Sequence, residues 1–286
     1  MKLLIKRIFQ IILGVSGVLL IAGFVITYYF SEKVEKTVIV KIQEEITSDL
    51  KLGNVSFSLY EKFPSASVKI SNLLAFEKDG FNNDTLFYAK STYLEFSIID
   101  IILASVDIKK VVVDNGKIDI KYDIDSKPNF AIYKTKEKRD NKLILKNLIL
   151  IKTDVSFRKK GVSIKWDIQE GFINFNDRNI IINAKLFSEK LIVNSRDYIS
   201  HKQMKLYTAL ELKKDSIIIE KGSIVHIENV ELELFGEIIN KKIVDIDFSC
   251  EAQELANIIK HTPEHLKSIY NSFNANGILE CSGNIK

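Results

Sequence analysis

Proline is nearly absent from this sequence, at three residues in 286. That excludes proline-rich linkers, and no charge-block or low-complexity segment marks a disordered tail. Cysteine is scarce too: Cys250 and Cys281 are the only two. Two cysteines late in a long chain do not make a disulfide scaffold. They read either as a pair, permitted on the far side of a membrane, or as two buried thiols. An excess of one charge is also missing, since 41 Lys and Arg face 37 Asp and Glu, a net of +4. There is no dense basic run, and the lysines alternate with apolar residues as on the wet face of a sheet, so nothing points to nucleic acid.

Catalytic signatures are equally sparse. The sequence has no Gly-rich phosphate loop and no G-x-S-x-G elbow. Of its four histidines, His261 and His265 have the i, i+4 spacing that places two imidazoles on one helix face, but Pro263 falls between them and no third ligand stands nearby. His226 lies in an alternating segment and reads as a surface or half-buried residue. Asp119, Asp123 and Asp125 lack the Gly and Glu that complete a calcium loop. Trp166, the only tryptophan, lies in a strand and reads as packing. The expectation is a non-enzyme with no metal or cofactor.

One long apolar run is present. Ile8 to Phe30 reads IFQIILGVSGVLLIAGFVITYYF, and no charged residue lies between Arg7 and Glu32. As a helix rising about 1.5 Å per residue it would extend roughly 35 Å, against a hydrocarbon core of roughly 30 Å. Tyr28 and Tyr29 stand where an interfacial aromatic belt belongs. A cleaved signal peptide would have a shorter core and small residues before the cut, whereas this run ends in Thr27-Tyr28-Tyr29-Phe30. We therefore expect a retained transmembrane helix. Lys2, Lys6 and Arg7 before it put a cytoplasmic tail at residues 1–7 and the bulk of the chain across the membrane.

From Glu32 to Leu50 the apolar residues Val34, Val38, Ile42 and Ile46 recur every four positions, which predicts an amphipathic helix within residues 31–52. After Gly53 the period becomes two. Strands are expected at Val55–Tyr60, Ala66–Phe76, Leu86–Ile98, Val106–Asp114 and Lys117–Asp123. Asn115-Gly116 between the last two is the strongest short-range hairpin signal. Ile98–Ala104 reads as one or two helical turns and Lys134–Lys142 as a charged loop. Further strands are expected at Leu143–Ile151, Val155–Arg158, Val162–Phe175, Ile180–Phe187, Met204–Leu212, Ile217–Glu220, Ile224–Phe235 and Glu237–Cys250. Short helices at Ala252–Lys260 and Glu264–Phe273 precede a last strand, Ile278–Lys286. Many strands have one apolar and one polar face. Ile118, Ile120 and Tyr122 alternate with Lys117, Asp119 and Lys121; Val230, Leu232 and Leu234 with Glu231 and Glu233; Val244, Ile246 and Phe248 with Asp245 and Asp247. Such a sheet is wet on one side, and its apolar side needs a second sheet, closure or a ligand to cover it.

Taken in order, these features resemble the AsmA family of envelope proteins (the AsmA/TamB-like group). The likeness rests on the basic tail, span and amphipathic helix, and on Phe63-Pro64 before VKISNLLAF. Its most specific stretch is Ala89 to Asp123, AKSTYLEFSIIDIILASVDIKKVVVDNGKIDIKYD. Pro128-Asn129-Phe130 is similar to the family's small G..N element, without the Gly. Leu234 to Lys286 is similar to its repeat of a strand pair, two short helices around a proline (Pro263) and paired glycines (Gly277, Gly283). The resemblance implies a fold that is mainly β: one N-terminal transmembrane helix, then an elongated, curved, groove-like antiparallel sheet with a few short helices over residues 53–286. It implies an inner-membrane anchor with the bulk of the chain in the periplasm, a part in outer-membrane biogenesis, and phospholipid as partner. The lipid-groove candidates are then Val111, Val113, Ile118, Ile120, Tyr122, Val230, Leu232, Leu234, Val244, Ile246 and Phe248. Family members are usually much longer, so an incomplete copy of a longer repetitive sheet is expected. The alternative is an anchored structural protein of the envelope that binds a partner by strand addition at a sheet edge without moving lipid.

Overall fold

The structure, a computed structural model, describes residues 23–25, 27–44, 46–62, 65–77, 81, 84–97, 99, 108–130, 132, 145–240, 243–263, 265–266 and 276–286. The start of the apolar run, residues 8–22, lies outside the described residues, as do residues 100–107, 133–144 and 267–275. Most of the short apolar helix, the charged loop and the second C-terminal helix expected above fall there. Among the described residues no helix is long and apolar enough to cross a membrane.

Helix α1 covers residues 27–44, so the end of the apolar run and the amphipathic segment form one continuous helix. Phe30, Val34, Val38 and Ile42, spaced by four, all pack on one hydrophobic cluster. The helix stops short of the expected Leu50. Beyond it, Thr47 donates through its backbone N–H and its Oγ1 to the Ile132 carbonyl, at 2.6 and 2.8 Å. Leu50–Lys51 then forms strand β1, paired with Ala75 and Leu74. Tertiary hydrogen bonds override the helical period here.

Fourteen strands make a single curved, open sheet. After β1 come β2 (Val55–Ser58), β3 (Ala66–Phe76), β4 (Thr85–Phe96), β5 (Lys110–Lys121), β6 (Asn147–Lys159), β7 (Val162–Asn176), β8 (Asn179–Val193) and β9 (Arg196–Asp197). Then follow β10 (Lys202–Leu212), β11 (Ser216–Ile227), β12 (Val230–Ile239), β13 (Ile243–Glu254), helix α2 (Leu255–His261) and β14 (Ile278–Ile285). Strand order is β1-β3-β4-β5-β6-β7-β8-β10-β11-β12-β13-β14, with β2 on β3 and β9 on β8. Neighbours are antiparallel with one exception, because β5 and β6 run parallel. That corrects the wholly antiparallel expectation. A parallel pair needs a crossover of about a dozen residues or more, and the chain from Tyr122 to Lys146 supplies it.

Four expected hairpins or breaks are absent: residues 221–223 lie inside β11, Gly236 lies inside β12, and two more fall in β5 and β6. Asn115-Gly116 lies inside one continuous strand, β5, and the expected break at residues 152–154 lies inside β6. A type I′ turn needs positive φ at both central residues. Here Asn115 has φ 53° and Gly116 stays outside that region. Conversely, the expected strand Ile224–Phe235 turns at Glu228 (φ 53°) and divides between β11 and β12.

Asn115 belongs to a line that crosses five strands. Asn72 (φ 50°) in β3, Lys90 in β4, Asn115 in β5, Lys152 (φ 46°) in β6 and Gln169 in β7 fall between the paired rows Ser71–Ser91–Asp114–Ile151–Glu170 and Leu73–Ala89–Gly116–Thr153–Ile168. In each strand the apolar alternation slips by one residue at this line. β3 presents Ala66, Val68 and Ile70, then Leu73; β5 presents Val111 and Val113, then Ile118. Because all five strands slip together, pairing is kept, and the slip ends as a register shift between β7 and β8. At Gly116 an added Cβ would lie 2.7 Å from Val113 Cγ1 and 3.0 Å from Thr153, so a side chain at this position would force its neighbours to shift.

Left-handed backbone penalises a β-branched residue. Asn115→Val is therefore expected to lower stability by about 1–2 kcal/mol and Asn115→Gly to change it by less than about 1 kcal/mol. Urea unfolding midpoints compare the two; equal midpoints would show that the line imposes no backbone constraint.

Candidate functional site: an apolar sheet face

One face of the sheet is apolar almost from end to end. Its first part, under α1, joins Val34 and Val38 to Phe57, Leu59, Val68, Ile70, Leu94 and Phe96. A second cluster runs over Ala89, Val113, Leu150, Ile168, Ala184, Leu186 and Met204. Phe87 and Val111 pack against both clusters, so the two form one surface. Directly paired residues on neighbouring strands share a face. One row of pairs runs Val113–Leu150–Gly171–Ala184–Leu206–Val225–Leu232 and another Gly116–Thr153–Ile168–Leu186–Met204–Ile227–Val230.

The eleven sequence candidates fall on this face. Val111, Val113, Ile118, Ile120 and Tyr122 line β5 and the residue after it, brought into phase by the slip at Asn115. Val230 and Leu232 end the two rows. Leu234 opposes Phe248, and Ile246 and Val244 oppose Gly236 and Ile238. An added Cβ at Gly236 (φ 147°) would lie 2.2 Å from the Asp245 carbonyl oxygen, which fixes glycine there. The centre of the face, from Leu148 to Val225, was missed as a site. Its alternation was visible, but the resemblance named only the two ends.

Among the described residues, every extensive strand–strand contact is between hydrogen-bonded neighbours, and no second sheet packs on the first. The described cover is local. α1 closes the β2–β4 end. Farther along, Ile199 from the segment after β9 packs into the second cluster, and Ser188 Oγ donates to its carbonyl at 3.0 Å. The end of α2 and the chain after it meet the flanks of that segment: Lys202 Nζ at the start of β10 lies 3.0 Å from His261 Nδ1, and His265 Nδ1 lies 3.1 Å from the Asp197 carbonyl in β9. Burial, with the Lys202 ammonium beside it, holds the His261 ring below the usual histidine range, so its Nδ1 accepts from Lys202. Two polar atoms on this face, Thr92 Oγ1 and Trp166 Nε1, are buried without a hydrogen-bond partner.

The opposite face is polar and carries a charge cluster where the crossover leaves β5. Lys121 Nζ reaches Glu77 at 2.8 Å, Asp84 at 3.1 Å and Asp119 at 3.2 Å, and Arg158 Nη2 reaches Asp119 at 2.7 Å. Asn129, fully buried, donates to Glu77 and to the Asp119 carbonyl and accepts from the Lys121 N–H. These bonds fasten the crossover to the sheet. Burial pushes the Asp119 carboxyl up, but hydrogen bonds from Ser156, Arg158 and Lys121 outweigh it and hold the group below the usual aspartate range. Among the described residues no group of three His, Cys, Asp or Glu is placed to hold a metal ion.

Fold and site together define a single-layer β protein with one continuous apolar face. Compared with protein-family models, curated proteins and solved structures, the chain matches none of them.

Asn129→Ala is expected to cost about 2–3 kcal/mol, since the Lys121 N–H and the Asp119 carbonyl lose a buried partner. Because the folded Asp119 value is depressed, its contribution is complete above the ordinary aspartate range and is lost as pH falls through the folded value. Asp119→Asn should therefore flatten the loss of stability as pH falls below about 5. An unchanged acid limb in the variant would remove Asp119 from this role.

Proposed function

We propose that this chain is an inner-membrane-anchored periplasmic protein of the AsmA-like kind, and that its apolar sheet face shields the acyl chains of phospholipid during outer-membrane biogenesis. The observation that carries the reading is the single-layer sheet: a continuous apolar face with no second sheet packed on it among the described residues. A sandwich would bury such a face dry, whereas acyl chains cover it and leave it open to exchange. Each methylene kept from water is worth about 0.8 kcal/mol, so a lipid tail laid along the rows gains several kcal/mol without a directional bond. That suits sliding.

In this reading residues 8–30 span the inner membrane, with residues 1–7 in the cytoplasm. Helix α1 then caps the end of the face nearest the bilayer. No step requires a catalytic residue. The face itself imposes no direction, so a partner or a gradient supplies it.

The test is purification of the full chain followed by lipid extraction, with photocrosslinking amino acids at Ile120, Leu206 and Leu232 on the apolar face and at Lys185 and Asp245 on the other. Phospholipid is expected to copurify and to crosslink only from the first set. Absence of copurified phospholipid, or equal labelling from both faces, overturns the proposal and leaves strand addition at a sheet edge as the better account.

A further inference from the structure

Cys250 and Cys281 stand directly opposite one another on β13 and β14. Both are free thiols; Cys250 is 2 % exposed and Cys281 half-buried. Directly opposed residues of an antiparallel pair have Cα atoms about 4.5 or 5.5 Å apart, within the roughly 4.4–6.8 Å that a disulfide spans. The register therefore places the two cysteines within the span that a disulfide bridges. The location gives the bond something to do. Among the described residues β14 pairs with β13 alone, and beside Cys250 the register shifts before Gln253, so the ladder is interrupted there.

We propose that Cys250 and Cys281 are a cross-strand disulfide site, closed by a disulfide-bearing oxidant, that clamps β14 to the end of the sheet. The two thiols differ in access. Burial, with the Cys281 sulfur beside it, pushes the Cys250 thiol up, so the exchange begins at the half-buried Cys281. The Cys281 thiolate attacks one sulfur of the oxidant's disulfide, which releases the first carrier thiol and leaves a mixed disulfide on Cys281. Cys250 then gives up its proton and attacks the Cys281 sulfur, which expels the second carrier thiol. Two protein S–H bonds break and one S–S bond forms. The two electrons reduce the oxidant's disulfide, and its two thiols carry away both protons.

The pairing rests on register, so it stands or falls separately from lipid shielding. The experiment incubates the full chain in detergent with oxidised glutathione at neutral pH and digests it under non-reducing conditions. A linked pair of peptides containing Cys250 and Cys281 is expected, lighter by two hydrogens than the sum of the free peptides. Amide exchange in β14 is expected to slow by about a hundred-fold against the reduced protein. Cys281→Ser should show neither effect; if that variant fails to fold, the reduced wild-type chain is the comparison. The proposal is overturned if both thiols remain alkylatable in the folded, oxidised protein. It is equally overturned if glutathione stays on Cys281 without transfer to Cys250.

Discussion

A sheet one layer thick has two faces, and here only one of them suits water. The apolar face extends from Phe57 under α1 to Phe248 near the last strand, and no second sheet lies across it among the described residues. Burial on this face comes from the curvature of the sheet and from side chains leaning on their cross-strand neighbours. Ala89 is fully buried and Leu186 nearly so, while Leu148, Leu206 and Val225 around them are only half-buried. At roughly 25 cal/mol per Å² of apolar surface, the half-buried remainder is a standing cost in water. Whatever covers this face, whether an acyl chain or another apolar body, is favoured by that same term.

The pleat line through Asn72, Asn115 and Lys152 serves this constraint. Strict alternation along a strand of twelve or more residues would keep one parity on the face throughout. These strands change parity partway, and each does so in the row where its neighbours do. Were β5 alone to keep strict alternation, Ile118 and Ile120 would turn to the side where Asp119 and Lys121 now bind Arg158 and Glu77. The charge cluster would then meet the apolar cluster. Sharing the slip across β3–β7 costs three left-handed residues and keeps both faces chemically uniform.

The same device explains what was and was not legible in the sequence. Period-two alternation and its polarity were plain, and the bounds of β3, β4, β7, β10 and β14 follow from them to within two residues, whereas those of β5, β6, β8 and β11–β13 do not. The face of Val111, Ile118 and Val230 was legible for the same reason. The continuity of β5 was not. Asn-Gly between alternating runs is locally the chemistry of a hairpin, and only pairing with β4 and β6 on both sides of Asn115 decides for a strand. The parallel β5–β6 pair was hidden too, because parity says which face a residue takes and nothing about strand direction. Glu228 was the opposite case: a turn at a residue with no turn signature, set where Ile227 and Val230 must pair.

The two ends of the sheet are built to different standards. At the α1 end, Ala66, Val68 and Ile70 are fully dry beneath a helix and the crossover is fastened by Asn129. At β14 the strand is mostly exposed and, among the described residues, is held through β13 alone, across a shifted register. Local opening free energy tracks buried apolar contact and doubly paired backbone, so the sheet should open from β14 inward and last of all at β3. This asymmetry follows from packing alone. It also makes the β13–β14 pair the described part of the fold where a single covalent link has the greatest effect.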